Sequence, residues 1–181
     1  MHFNISLASA LFICITLVAQ STNYKNQLQT VAKQEGEIFI ALEYMHPERN
    51  KPCRMEDLFT NTIAFNRDTL VVDFDNYTES FCEAINLETQ LTYHIKLRDI
   101  DPSKIILMQR KYNLKNNKLL EGPLSWYELQ INTKGQLPVV KEQSHKESQL
   151  RRINQFRIIF KTQEGAKKAL AALKELTKTS S

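Results

Sequence analysis

The sequence predicts an α+β fold, mainly antiparallel β, in which a curved sheet or barrel is closed by one C-terminal amphipathic helix. Three observations predict it. Apolar and polar residues alternate with period two in several separate stretches, most cleanly over 91–98. Short turn signals separate those stretches. The last twenty residues switch to helical spacing. Strict alternation marks strands wet on one side, and a change of period from 2 to 3.6 marks the change of element.

The elements follow in order. Over 22–36, Tyr24, Leu28, Val31 and Ala32 recur at helical spacing and predict a leading helix. Residues 37–45 fit a helix or a buried strand equally well, and 46–56, with Pro47 and Pro52 among charges, read as a loop. Ile63 and Phe65 alternate up to a turn at Asn66-Arg67-Asp68, after which Leu70, Val72 and Phe74 share one strand face. In 91–98, Leu91, Tyr93, Ile95 and Leu97 point one way, and Thr92, His94, Lys96 and Arg98 the other. Pro102 ends this strand at the turn 99–103, because it has no N–H for a ladder. Strands are expected at 104–112 and 124–132, with Asn116-Asn117 as a turn and Tyr127, Leu129 and Ile131 inward. Asn132-Thr133-Lys134-Gly135 suits a hairpin loop returning through 136–141, Gly135 supplying the positive φ. A polar connection over 142–150 leads to a last strand at 151–161. In the closing helix, about 163–178, Ala166, Ala169, Leu170, Leu173 and Leu176 form the apolar stripe and Thr162 is placed to cap.

The N-terminus carries a different message. Residues 5–19 form an uncharged apolar run followed by Ala19-Gln20-Ser21, a small-x-small cleavage pattern. At fifteen residues the run falls short of the ~20 a spanning helix needs. Residues 1–21 therefore read as a signal peptide cleaved near Ser21, placing the chain in a secreted or periplasmic compartment. The alternative is an uncleaved N-terminal helix that anchors the chain to the membrane.

Composition excludes several function classes. The four glycines are Gly36, Gly122, Gly135 and Gly165, too dispersed for a phosphate-cradling loop. Charge is uneven: residues 1–100 carry eight Lys and Arg against thirteen Asp and Glu, and residues 101–181 carry sixteen against seven. Such a basic half suits an anionic partner, or interleaves with the acidic half once folded. Nucleic acid is a poor partner for a chain without basic-aromatic clusters. Cys53 and Cys82, left after removal of the leader, form a disulfide or remain two buried thiols. Asn76-Tyr77-Thr78 fits a glycosylation acceptor.

The passage Thr92-Tyr93-His94-Ile95-Lys96-Leu97-Arg98-Asp99-Ile100-Asp101, followed by another strand, and the passage 157–176 (a strand, then Lys161-Thr162-Gln163-Glu164-Gly165 and a Leu/Ala/Lys helix) together resemble a pleckstrin-homology-type barrel with its capping helix. On this likeness residues 22–58 are an N-terminal helical and loop segment and 59–181 the barrel with its helix. The resemblance implies a binding module for lipids, peptides or proteins rather than an enzyme.

Candidate chemistry is sparse. Asp73 and Asp75 share a strand face and could serve acid–base work or hold a cation, but the residues after them break the Ca²⁺-loop pattern. Met45, His46, Cys53 and Met55 are soft donors around one loop, without a recognised copper spacing. His46, His94 and His145 share no zinc spacing, and no serine lies in G-x-S-x-G. The expectation is therefore an exported, non-catalytic binding domain that needs no metal or cofactor. It would recognise an unknown protein or anionic ligand through His94, Lys96 and Arg98, with Trp126 as an anchor if the closing helix leaves that face open. The alternatives are a small barrel carrier of an apolar ligand, or a carboxylate-based hydrolase using Asp73 and Asp75.

Overall fold

A computed structural model describes residues 7–83, 85–112, 114–115, 117–146 and 150–179, with side chains from Ala19 onward except at Ile85. The start of the expected leader, residues 1–6, lies outside the described residues, as does Asn116 of the expected turn.

Two antiparallel sheets and two helices make up the molecule. The large sheet contains β1 (Glu37–Met45), β2 (Pro52–Asn66), β3 (Thr69–Ser80), β4 (Ile85–Lys96), β6 (Asn117–Glu121), β8 (Val140–Ser144) and β9 (Leu150–Ile153). Its spatial order is β6-β1-β2-β3-β4-β8-β9. The small sheet is β10-β7-β5, built from β5 (Ile106–Lys111), β7 (Ser125–Asn132) and β10 (Gln155–Phe160). Helices α1 (Leu7–Glu35) and α2 (Gln163–Thr179) pack on each other, α1 also against β2 and α2 across the small sheet. The α+β class and the C-terminal helix are as expected. The sheet does not close into a barrel: β6 and β9 are edges, and a second sheet covers part of its inner face.

Alternation explains most of this. In β2 the odd residues Asn61 and Ile63 turn inward, and Thr62 and Ala64 outward. Register then fixes the inner face of β3 and β4, because Ile63 pairs with Val72 and Val72 with Tyr93. The β2–β3 turn is Arg67-Asp68, with Arg67 at φ 56°. Residues 37–45, ambiguous in sequence, are a strand, since Ile38, Ile40 and Leu42 face the second sheet and are fully buried.

Several expectations are corrected. The loop expected over 46–56 ends at Lys51, because Pro52–Glu56 pair with Ala41–Met45 at the start of β2. The connection expected over 142–150 instead contributes to the β8–β9 hairpin, held by Val140–Gln143 against Leu150–Ile153. The strand expected over 151–161 breaks at Asn154: β9 belongs to the large sheet and β10 to the small one. Gly135 has the expected positive φ of 62°, yet its loop does not make a hairpin. It carries the chain from β7 in one sheet to β8 in the other.

The termini of the helices are tied to the sheets. The Thr162 hydroxyl accepts the Gly165 N–H at 3.0 Å and caps α2. Glu35, the last residue of α1, receives the Lys161 N–H on its backbone oxygen at 2.8 Å and the Thr162 N–H on its carboxylate at 3.1 Å. Gly36 follows with no room for a side chain: a Cβ there would lie 2.4 Å from the Ala32 carbonyl oxygen and from Asn61 Nδ2. Asn61, 3% exposed, accepts the Ile159 N–H at 2.6 Å and donates its own N–H to the Gly36 carbonyl at 2.8 Å.

At the other end of the large sheet, Cys53 of β2 and Cys82 of the β3–β4 turn form a disulfide with a Cα–Cα distance of 5.7 Å. It closes a loop of 29 residues, a constraint worth about 3–4 kcal/mol on the chain-entropy model. Urea unfolding with and without reductant should show a loss of that order. Asn61→Ala should cost about 1–3 kcal/mol, because it strands the Ile159 N–H in a dry junction. A Cm unchanged within error in that variant would show that the junction does not depend on Asn61.

Candidate functional site

Two surfaces of the β4–β8–β9 region carry the chemistry, one on each face of the large sheet. On the outer face, register aligns His94, Lys141 and Arg152 directly across three neighbouring strands. Lys96 lies two residues along β4, and Arg98 follows in the 3₁₀ turn Leu97–Asp99. These five residues line one open depression of about 530 Å³. Its other charged wall residue, among the described residues, is Asp99, whose Oδ1 lies 3.9 Å from Arg98 Nε. Four permanent cations thus face one carboxylate. The sequence named His94, Lys96 and Arg98 but not Lys141 or Arg152, because nothing in the sequence says that β8 pairs with β4.

Trp126 is not part of this surface. Helix α2 covers the face of β7 carrying Leu129 and Ile131, as alternation requires, so Trp126 and Glu128 turn toward the large sheet. There Trp126 stacks on Phe59 at 5.9 Å and lies 5.1 Å from Tyr112. It is a half-buried wall of a cleft of about 390 Å³ between the sheets. A second cross-sheet stack, Tyr93 on Phe156 at 5.3 Å, forms another part of that wall.

Glu128 is the unexpected residue in the cleft. It is 7% exposed, and its Oε2 accepts from Arg110 Nε at 2.9 Å and from Arg157 Nη1 at 3.4 Å. Its Oε1 takes the Trp126 indole N–H at 3.3 Å. Period-2 reading had placed Glu128 beside Trp126, but not that this face meets another sheet. Tyr93 lies opposite Glu142 in the ladder, and burial first, then the Glu142 charge, pushes its hydroxyl up to about 12. Deeper in, Asp57 accepts from Thr78 at 2.6 Å and from Tyr112 at 2.5 Å. Burial, followed by that bond to Asp57, holds Tyr112 far above the ordinary tyrosine range.

The remaining candidates take structural positions. Thr92, 8% exposed, donates to Asp73 Oδ1 at 2.7 Å and lies 2.9 Å from His145 Nε2. This order is wrong for a nucleophilic triad, in which the imidazole stands between hydroxyl and carboxylate. Here the single hydroxyl proton goes to Asp73, leaving His145 to donate. Asp75, its partner from the sequence, is exposed on the same face, and Asp73 also lies 3.4 Å from the Thr62 hydroxyl. Around the disulfide, His46 Nδ1 accepts the Glu48 and Arg49 N–H groups at 3.2 Å each, and Cys53 is oxidised. Met45 is exposed while Met55 packs toward the second sheet, so the four soft donors do not converge. Among the described residues no three His, Cys, Asp or Glu side chains group to hold a metal. Asn76 of the expected acceptor is partly buried in β3, and its side-chain oxygen has no hydrogen-bond partner among the described residues.

The chain matches no family model, no curated protein and no solved structure.

The Tyr93 environment has a measurable consequence. Its pKa is raised in the folded state, so the folded protein holds a proton that the unfolded chain releases near pH 10. The stability this group contributes is complete below pH 10 and is lost as pH rises toward 12. Tyr93→Phe should flatten that decline in urea titrations between pH 10 and 12. An alkaline decline of the same slope in the variant would move the effect to other groups.

Proposed function

We propose that this chain is an exported, non-catalytic binding domain that takes up an anionic partner on the outer face of its large sheet. The observation that carries the reading is the cross-strand row His94, Lys141 and Arg152, flanked by Lys96 and Arg98. Like charges directly opposite one another weaken a sheet. Lys141 and Arg152 stand so opposed, a cost that an anion bound over them would offset.

Two further features support the reading. The Cys53–Cys82 disulfide suits an oxidising compartment, as does an N-terminal export signal. Helix α1 runs unbroken from Leu7 to Glu35, and among the described side chains its contacts with the core come from Tyr24, Leu28, Val31 and Ala32, which cleavage near Ser21 would spare. Among the described residues no helix is long and apolar enough to cross a membrane. An antiparallel meander ending in one amphipathic helix supports a relation to the pleckstrin-homology superfold. The open seven-stranded sheet and the packed α1 depart from it. Fold likeness carries no ligand across, so the charged face has to.

Heparin-agarose provides the test. Lys96→Glu, Lys141→Glu and Arg152→Glu together change the charge as much as Lys161→Glu, Lys167→Glu and Lys174→Glu do. The outer-face triple should elute at markedly lower salt than the wild type, and the second triple should shift much less. Equal shifts would reduce the interaction to net charge and remove the site.

A further inference from the structure

The cleft between the sheets is a separate site, and its walls are not those of a simple core. Protein interiors pack without gaps of this size, and about 390 Å³ falls within the range of small-molecule sites. Two aromatic stacks line it, Phe59 on Trp126 and Tyr93 on Phe156. Its apolar wall also includes Leu91 and Ile159.

Glu128 gives the second observation. A buried carboxylate with two arginines is weak support for stability, and an apolar residue of similar size often does as well. Here the carboxylate fixes a guanidinium at the edge of an apolar cleft. Arg110 holds Glu128 at 2.9 Å, while Arg157, with its side chain 59% exposed, reaches it at 3.4 Å through one N–H. Among the described residues the rest of the Arg157 fork makes no other hydrogen bond. The other wall carboxylate, Glu142, faces Arg151 directly across the β8–β9 ladder. Among the described residues Arg110 and Arg157 therefore share the one carboxylate of Glu128, and the half-wet Arg157 keeps the rest of its fork open to a second partner.

We propose that the cleft binds a single-chain amphiphile with an oxyanion head, its chain lying between the aromatic stacks and its head on Arg157. Guanidinium binds carboxylate or phosphate oxygens through paired N–H groups. The exposed position of Arg157 keeps that head in water while the chain is buried. This reading does not depend on the outer face, whose residues point to the other side of the sheet.

Trp126 is the chain's one tryptophan, so its emission reports on the cleft directly. The full chain is titrated with dodecanoate, dodecyl phosphate and dodecyltrimethylammonium, each below its micelle threshold. We expect a saturable blue shift with both anions, and binding at least tenfold tighter than for the cation. Carboxylate and phosphate heads are separated by which of the two anions binds more tightly. Arg157→Gln should erase the preference for anions, and Arg157→Lys, which keeps charge but loses the fork, should retain part of it. The outer-face triple Lys96→Glu, Lys141→Glu, Arg152→Glu should bind dodecanoate as the wild type does. The proposal is overturned by a response that does not saturate, by equal affinity for the cation, or by an unchanged preference in a folded Arg157→Gln protein. It is equally overturned if the outer-face triple loses dodecanoate binding, which would assign the amphiphile to the basic depression.

Discussion

The architecture depends on the contact between Asn61 and the chain reversal at Glu35-Gly36. Asn61 accepts the Ile159 N–H with its side chain and donates its own backbone N–H to Gly36. One residue of the large sheet thereby joins the edge of the small sheet to the end of α1. Glu35 completes the junction by receiving the two N–H groups that lead from β10 into α2. Four elements meet where none of their backbone ladders does. Apolar burial favours stacking the two sheets but is indifferent to their angle. Directional bonds at a dry point remove that freedom. The Asn61 Nδ2, buried without a partner among the described residues, is the cost of orienting Oδ1 toward Ile159.

That junction ties the two sheets together on one side of the cleft, whereas the disulfide at the far end of the long strands joins β2 to the β3–β4 turn within the large sheet. Away from the junction, Phe59, Trp126, Tyr93 and Phe156 meet across the gap only in pairs. Smaller apolar residues between them do not fill it, and Glu128 draws two arginines inward. A cleft can stay open there because it is not the part of the interface that holds the sheets in register.

Much of the local structure is legible in the sequence, for a simple reason. Alternation and helical spacing record whether each residue faces water, and every strand wet on one side must show it. So the inward set Leu70, Val72, Tyr93 and Ile95 and the α2 stripe are readable without coordinates. Pairing between distant strands leaves no such record. Residues 124–132 alternate the same way whether the next strand pairs with them or, as β8 does, with β4. The face opposite Leu129 was therefore visible as a face, but not as one wall of a cleft. Residues 37–45 were ambiguous for a related reason. Ile40, Ala41 and Leu42 are all buried, and a strand covered on both faces loses its alternation.

The same physics explains why the two proposed binding surfaces share so short a stretch of chain. A strand sends successive residues to opposite faces, so each step along β4 and β8 changes the environment completely. Tyr93 and Glu142 face the cleft, and their neighbours His94 and Lys141 face the basic depression. The β8–β9 hairpin contributes to both: Ile153 to the cleft and Arg152 to the outer row. Without that hairpin β4 would be an edge strand, with His94 and Lys96 beside solvent and the cleft missing one side. Neither surface is thus a property of the acidic N-terminal half or the basic C-terminal half alone. Each forms where antiparallel pairing lays a strand of one half beside a strand of the other.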